Sequence, residues 1–419
     1  MNIHDYKKIF RQQLSYVDKV YWLLFGVLII VAILALFSAS STLAFEKNSS
    51  TLGPIMEQML FIAIGIVLAF MLQFLPSKVI RICSYLGLGI SIIFLLLTFT
   101  NMGVEINGAK RWLRLAGITF QPSELAKLSL IIVVGDLLSR IKSAESQKRI
   151  FFIVLGITGL VCGLILVGNL STALLLAGIV FLLFFLARVH IKYWGTTIVI
   201  AVMLLISGYF FIENHYIKPH RKVEGVMKRA TVWVTRIDDM IEELKTPNDA
   251  FALNDDNYQR TIAKVAIARG GVSPVGVLPG NSQERNFLPQ AFSDYIFAII
   301  VEESGLIGAT FLMLLYLAIL FRSCLTSSKY ADYAAMLMVM GLALMITCQA
   351  LVSMLVSVGI GPVTGQPLPM ISRGGTSALV TSLYFGIIMC VAREQNELHA
   401  RQQSATVASQ DDVPEIHIE

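Results

Sequence analysis

Apolar runs of about twenty residues recur along this chain from Val20 to Ala392, separated by polar turns. A run of that length crosses the hydrocarbon core of a bilayer, and lipid offers backbone amides and carbonyls no partners, so each run has to be helical. With 56% hydrophobic residues, 15% charged residues and a mean hydropathy of +0.71, the 419 residues do not compose a water-soluble domain. Ten spans are read, near 20 to 44, 56 to 75, 79 to 99, 122 to 140, 150 to 167, 170 to 188, 193 to 213, 292 to 321, 332 to 358 and 375 to 392. The expected fold is an all-α polytopic membrane protein of ten transmembrane helices, with a large extracytoplasmic loop, 214–291, between helices 7 and 8. Residues 1–19 form a charged N-terminal tail with no signal-peptide pattern, 20–393 the membrane domain, and 394–419 a polar tail expected to be disordered.

Short-loop cations set the orientation. Lys7, Lys8, Arg11 and Lys19, then Lys78 and Arg81, then Arg140, Lys142, Lys148 and Arg149, then Arg188 and Lys192, then Arg322 and Lys329 fall on alternate connections, which places both termini in the cytoplasm. Two outward segments depart from the pattern: the loop near 100–121, with Lys110, Arg111 and Arg114, and the long segment 214–291. Long translocated segments are exempt from the rule, so the short loop is the informative exception. Cations held outside against a membrane point to an anionic lipid headgroup, and the net charge of +5 does not suggest nucleic acid. Cys83, Cys162, Cys324, Cys348 and Cys390 lie in spans or on the cytoplasmic side, so no external disulfide is implied. The six histidines show no zinc-ligand spacing.

Three outer clusters carry the groups that could do chemistry. In Asn107-Gly-Ala-Lys-Arg-Trp-Leu-Arg through Gln121-Pro-Ser-Glu-Leu-Ala-Lys127, Pro122 and Glu124 suit the first turn of a helix. Lys127 then lies about 7 Å below the helix start. It either pairs with Glu124, three residues away, or faces a cavity. Trp112 among cations is an interfacial anchor or a ligand contact. The stretch Gly361 to Ser377 is dense in glycine and proline, which suggests a re-entrant, non-helical segment. In it, Arg373 beside Gly374-Gly375 could meet phosphate or simply snorkel. The large loop holds an amphipathic run, Thr231 to Glu243, suited to lying on the membrane surface, and a second helix, Tyr258 to Arg269, ended by Gly270-Gly271. Turn-rich residues from Pro274 to Asn281 lead on to Asp294, which sits at the mouth of span eight. An ionisable group there is a helix cap or a functional group. Glu302 is too far along the helix to form a close acid pair with it, so the paired carboxylates of an ordinary glycosidase are not evident.

Together, NGAKRWLRL...QPSELAK, ARGG...GNSQ...FLPQAFSDYIFAIIVEESG and GQPLPMISRGGTS resemble, in order and spacing, the SEDS (shape, elongation, division and sporulation) family of polytopic peptidoglycan glycosyltransferases. The likeness covers residues 20 to 393, and Gly280-Asn281-Ser282-Gln283 resembles the cell-division, FtsW-like branch. It implies lipid II (undecaprenyl-linked) as substrate and a class B penicillin-binding protein transpeptidase as partner, with other division-machinery membrane proteins. It also implies a site in the bacterial cytoplasmic (inner) membrane at the division septum. The family's essential aspartate falls on Asp294, and Trp112, Glu124, Lys127 and Gln259 also match. The candidate substrate-binding residues are Lys110, Arg111, Trp112, Glu124, Lys127, Gln259 and Arg373. Thr364, Arg373, Thr119 and Asn169 depart from the family pattern.

Lipid II carries an α-linked diphosphate and the glycan product is β-linked, so one inverting displacement with one base suffices. Asp294 would accept the acceptor hydroxyl's proton, and cations such as Lys127, Arg111 and Arg373 would meet the leaving diphosphate. No cofactor is evident and no metal-ligand cluster stands out, while a divalent cation is left open. Two rival classes are a lipid II flippase and a non-catalytic division scaffold. A flippase should carry ionisable groups through the membrane midplane, where only Asp136, Glu302 and Glu303 offer themselves. A scaffold would have no need of Asp294.

Overall fold

The computed structural model describes residues 13–47, 52–106, 109–115, 117–218, 225–245, 258–272, 282–288, 292–361 and 365–411. Its helices are, in chain order, α1 (Lys19–Lys47), α2 (Leu52–Leu72), α3 (Ser77–Leu97), α4 (Pro122–Ser139), α5 (Ala144–Gly168), α6 (Leu170–Leu186), α7 (Ile191–Ile212), α8 (Gly225–Lys245), α9 (Tyr258–Gly270), α10 (Ile296–Ser327), α11 (Tyr333–Val358) and α12 (Gly375–Asp411). Among the described residues, eight helices are long and apolar enough to cross a membrane: α1, α2, α3, α5, α7, α10, α11 and α12. The other two expected spans are helices of a different kind. α6 is wholly apolar but has 17 residues, and α4 carries Glu124, Lys127 and Asp136. Both are consistent with an integral membrane protein whose centre differs from its rim.

The rim is built inside out relative to a soluble bundle. α3 turns Ser77, Ser84 and Ser91 inward, while Ile82, Leu86 and Ile93 are exposed. Large apolar side chains gain nothing by leaving lipid for a protein interior, whereas small residues let backbones approach. Ser84 Oγ and Ser91 Oγ donate to Ile80 O and Gly87 O within their own helix, so neither is left unsatisfied. At the centre, α4 and α11 pack against one another and are enclosed by α3, α6, α10 and α12. α4 buries nearly its whole length, which is how a helix with three charges is tolerated.

The outer loop near 100–121 corrects the all-α expectation. It folds into an antiparallel sheet in the order β1-β2-β3, with β1 at Gly103–Ile106, β2 at Ala109–Leu115 and β3 at Ile118–Phe120. Alternation in Lys110-Arg-Trp-Leu-Arg sends Arg111 and Leu113 to one face and Lys110, Trp112 and Arg114 to the other. Leu113 is buried, so Arg111 is carried inward on the same face. Gly117, at φ +83°, supplies the left-handed turn between β2 and β3.

Two further boundaries differ. The tail beyond residue 393 continues α12 to Asp411, because pairs one turn apart support it: Arg393 with Glu397 at 3.3 Å and Arg401 with Glu397 at 2.6 Å. Glu394 also accepts from Ser77 N at 3.1 Å, and Asn396 donates to Tyr16 O at 3.0 Å, which docks the extension on the bundle. Span eight is interrupted: Gly305, at φ 63° and ψ −168°, breaks α10. The expected turns at Pro274 to Asn281, residues 219–224 of the large loop, Thr364 and residues 1–12 and 412–419 lie outside the described residues.

Candidate functional site

Asp294 lies in the turn just before α10, with Tyr295 buried beneath it. Tyr295, Ala298 and Ile299 pack on Ala263 and Ala266 of α9, which fixes the turn from the side of the large loop. From the other side comes the non-helical segment 365–374, as expected from its glycines and prolines. Ser372 Oγ donates to Ser293 O at 2.6 Å and Arg373 N donates to Phe292 O at 2.9 Å. Leu368, Met370 and Ile371 are buried, and surrounding side chains satisfy much of this irregular backbone. Tyr316 donates to Pro369 O at 2.6 Å, Gln349 to Pro367 O at 3.0 Å, and Gly374 N to Gln58 at 3.3 Å.

Gly365 brings the segment against the carboxylate. A Cβ there would stand 3.5 Å from Asp294 Oδ2 and 3.6 Å from Arg111 Nη1, and its φ is +60°. Glycine thus lets backbone, carboxylate and guanidinium converge. Burial pushes the Asp294 carboxyl above its ordinary value of 3.8, while the Ser293 hydroxyl, Arg111 and Arg236 pull it back. Ser293 Oγ donates to Asp294 Oδ1 at 2.9 Å. Burial in turn lowers Arg111, opposed by Asp294 and reinforced by Arg229 and Arg236. Two arginines, Arg111 of β2 and Arg236 of α8, therefore act on one aspartate, and Arg229 of α8 acts on Arg111. Arg229 Nη1 donates to Gly168 O at 3.0 Å, satisfying the last carbonyl of α5.

Arg229 and Arg236 are the residues that sequence reasoning did not select. Their helix, α8, reads as amphipathic and suited to a membrane surface, but Val234 is buried and the two arginines act electrostatically on Arg111. Their spacing of seven places them on one face of a helix. That signal was present in Arg229 to Arg236, but it does not say what the face meets.

The other candidates fall into separate settings. Lys127 is sealed from solvent, pairing with Glu124 at 2.8 Å and donating to Gln349 Oε1 at 2.9 Å. Of its two expected settings, the structure shows the pair. Its charge is consumed within the bundle, and Gln349 carries the connection on to Pro367. Arg373 meets other groups: it stands over the Phe292 ring at 5.5 Å and 3.7 Å from Glu57. Lys110 is exposed on β2 and lines a small recess with Arg111, Gln121 and Ser123. Trp112 Nε1 and Arg111 Nε are buried without a hydrogen-bond partner among the described residues. Gln259 is half-buried on α9. Asn169 caps α6 by accepting from Thr172 N at 3.1 Å.

The other carboxylates of the bundle are hydrogen-bonded. Glu302 accepts from Ser282 Oγ at 2.5 Å and Gln283 N at 2.8 Å, and Glu303 accepts from Ser282 N at 3.0 Å. At the opposite end of α4, Asp136 accepts from Tyr85 at 2.7 Å and Arg140 at 2.5 Å. Among the described residues, no group of three His, Cys, Asp or Glu is placed to hold a metal ion.

Residues 18–397 match the FtsW/RodA/SpoVE pattern for cell cycle proteins. The chain belongs to that family. A probable peptidoglycan glycosyltransferase FtsW of Enterococcus hirae is 29% identical over 90% of this chain and 93% of its own length. The peptidoglycan glycosyltransferase MrdB of Escherichia coli K12 is 27% identical over 86% and 92%. Two solved structures share the fold. One, described as the structural coordination of polymerization and crosslinking by a peptidoglycan synthase complex, aligns with TM-score 0.67 at 23% identity, over 90% of this chain and 98% of the other. The rod shape determining protein RodA of Thermus thermophilus aligns with TM-score 0.62 at 23% identity, over 90% and 97%.

Proposed function

We propose that this protein is a peptidoglycan glycosyltransferase that polymerises lipid II into glycan strands at the outer face of the cytoplasmic membrane during cell division. Ten transmembrane spans, cytoplasmic termini and a class B penicillin-binding protein partner belong to this reading, supported by the charge pattern and by the relatives' names. The observation that carries it is the Asp294 carboxylate, half-buried beside Gly365 with Arg111 and Arg236 acting on it. A carboxylate with an elevated pKa is a better base than a free one, and flanking arginines keep it ionised. It accepts the acceptor hydroxyl's proton as that oxygen attacks the anomeric carbon with inversion, and the diphosphate departs with the glycosidic electron pair. Arg111 and Arg236, the cations that act on Asp294, meet the leaving charge. Lys127 serves instead as a positioning residue, through Gln349 and Pro367.

The test is Asp294→Asn. Asparagine retains the size and an oxygen that can accept from Ser293 Oγ, but cannot act as the base. Glycan-chain formation from lipid II by the purified complex with its transpeptidase should fall at least about 10²-fold, with complex yield unchanged. Polymerisation within a few-fold of wild type would sink the assignment.

A further inference from the structure

The turn between α6 and α7 lies at the far end of α6 from Asp294, and it holds an arginine where a glycine would be expected. Arg188 N donates to Phe185 O at 3.0 Å and Val189 N to Phe184 O at 3.0 Å. This pair of bonds is the Schellman ending, whose left-handed residue is usually glycine. Arg188 occupies it at φ 52°. Gln147 of α5 donates to Arg188 O at 3.4 Å, Trp194 Nε1 to Val189 O at 3.1 Å, and Tyr333 to Leu186 O at 3.1 Å. The backbone of the turn is tied down on three sides while the Arg188 side chain stays exposed.

Beside this turn an open cleft of about 890 Å³ runs between α6, α7 and the start of α11. Phe185, Leu186, Ile191, Trp194 and Met336 form its apolar wall, with Arg188 and His190 on the rim. α7 contributes Ile191 and Trp194 to this wall, and none of its described residues is buried. The nearest carboxylate in sequence to this cleft, Asp332, is directed to Arg81 at 3.1 Å. No carboxylate is paired with Arg188 among the described residues, so the rim keeps its positive charge. An apolar groove open to the side of a membrane bundle, with a cation at its end, matches an acyl chain joined to an anionic phosphate.

We propose that this cleft is a binding site for an anionic phospholipid, its phosphate at Arg188 and an acyl chain along Phe185, Trp194 and Met336, filling the gap beside α7. The side chain rather than the backbone conformation accounts for an arginine at a glycine position.

Arg188→Gly separates the two, because glycine relieves the left-handed backbone while deleting the charge. The full chain in mild detergent would be titrated with phosphatidylglycerol and with phosphatidylcholine of the same acyl composition, and bound lipid counted by native mass spectrometry. Wild type and Arg188→Lys should retain phosphatidylglycerol about five-fold better than phosphatidylcholine, the preference one cation confers. Arg188→Gly should retain both alike while unfolding at the same temperature as wild type or higher. Equal retention of the two lipids by wild type, or an undiminished preference in Arg188→Gly, overturns the site. Glycerol phosphate binding as well as phosphatidylglycerol does so too, because the apolar wall would then contribute nothing.

Discussion

At Asp294 two opposed effects meet on one carboxyl. Burial raises its pKa, and Arg111 and Arg236 lower it, with burial the larger. The protonated form cannot accept a proton, so turnover should fall as pH decreases through a value above the ordinary 3.8. Arg236→Gln removes a cation that favours the ionised form, and the acidic limb should move to higher pH. The profile of kcat/KM against pH in both proteins checks this, and an unmoved limb would show that Arg236 does not act on the base. Lys127 presents a different problem. Lys127→Met leaves the buried Glu124 without its partner, and loss of one member of a buried pair costs about 3 to 5 kcal/mol. Lys127→Met/Glu124→Gln should recover most of that loss. Thermal unfolding of the three proteins measures it, and a single variant as stable as wild type would remove the pair's structural role.

Between elements, the joint of α9 with α10 sets where Asp294 stands. A Cβ on Gly270 would lie 2.1 Å from Val301 O and 3.1 Å from Glu302 Cα. The contact is with backbone, so only glycine permits it. A few residues on, the break at Gly305 frees Leu306 N, which donates to Gly271 O at 3.0 Å. The end of α9 is therefore locked into the interruption in α10, and Glu302 gathers the turn at 282–284 onto the same place. Gly270→Ala should cost about 1 to 3 kcal/mol, as overpacking does. Because Tyr295 rests on α9, the same change should lower polymerisation by more than the loss of folded protein explains. Unfolding temperature and rate per folded molecule, measured together, distinguish the two effects. A normal rate per folded molecule would show that α9 does not position the aspartate.

Over the whole molecule, the centre is rigidly built and the site's cations are less so. α4 and α11 are enclosed on all sides, whereas α8, which supplies Arg229 and Arg236, meets chiefly α7 and the turn that follows it among the described residues. Arg229 reaches Gly168, and Tyr209 of α7 donates to Asp238. α7 in turn buries none of its residues. An arm attached this way is suited to being ordered by a second protein on the outer face. The isolated protein should therefore polymerise lipid II at least about tenfold more slowly than its complex with the transpeptidase, a difference of about 1.4 kcal/mol in barrier. Equal rates for the two preparations would remove the case for activation.

The helical, membrane-embedded character of the chain was legible in the sequence alone, because lipid leaves a twenty-residue apolar run no other way to satisfy its backbone. Asp294 was legible as a candidate for the same reason, a lone carboxylate beside such a run being conspicuous. So were the non-helical stretch before α12 and the end of α9 at Gly270-Gly271, where glycines and prolines act locally. What each outer cation meets was decided by tertiary structure. Lys127 and Arg236 carry the same charge, yet one is consumed by Glu124 inside the bundle and the other acts on the aspartate. The sheet at 103–120 and the extension of α12 also arise from partners distant in sequence or from pairs too weak singly to predict. A periodic pattern reports which face of an element is apolar. It does not report what that face will touch, because that depends on how elements far apart in the chain pack together.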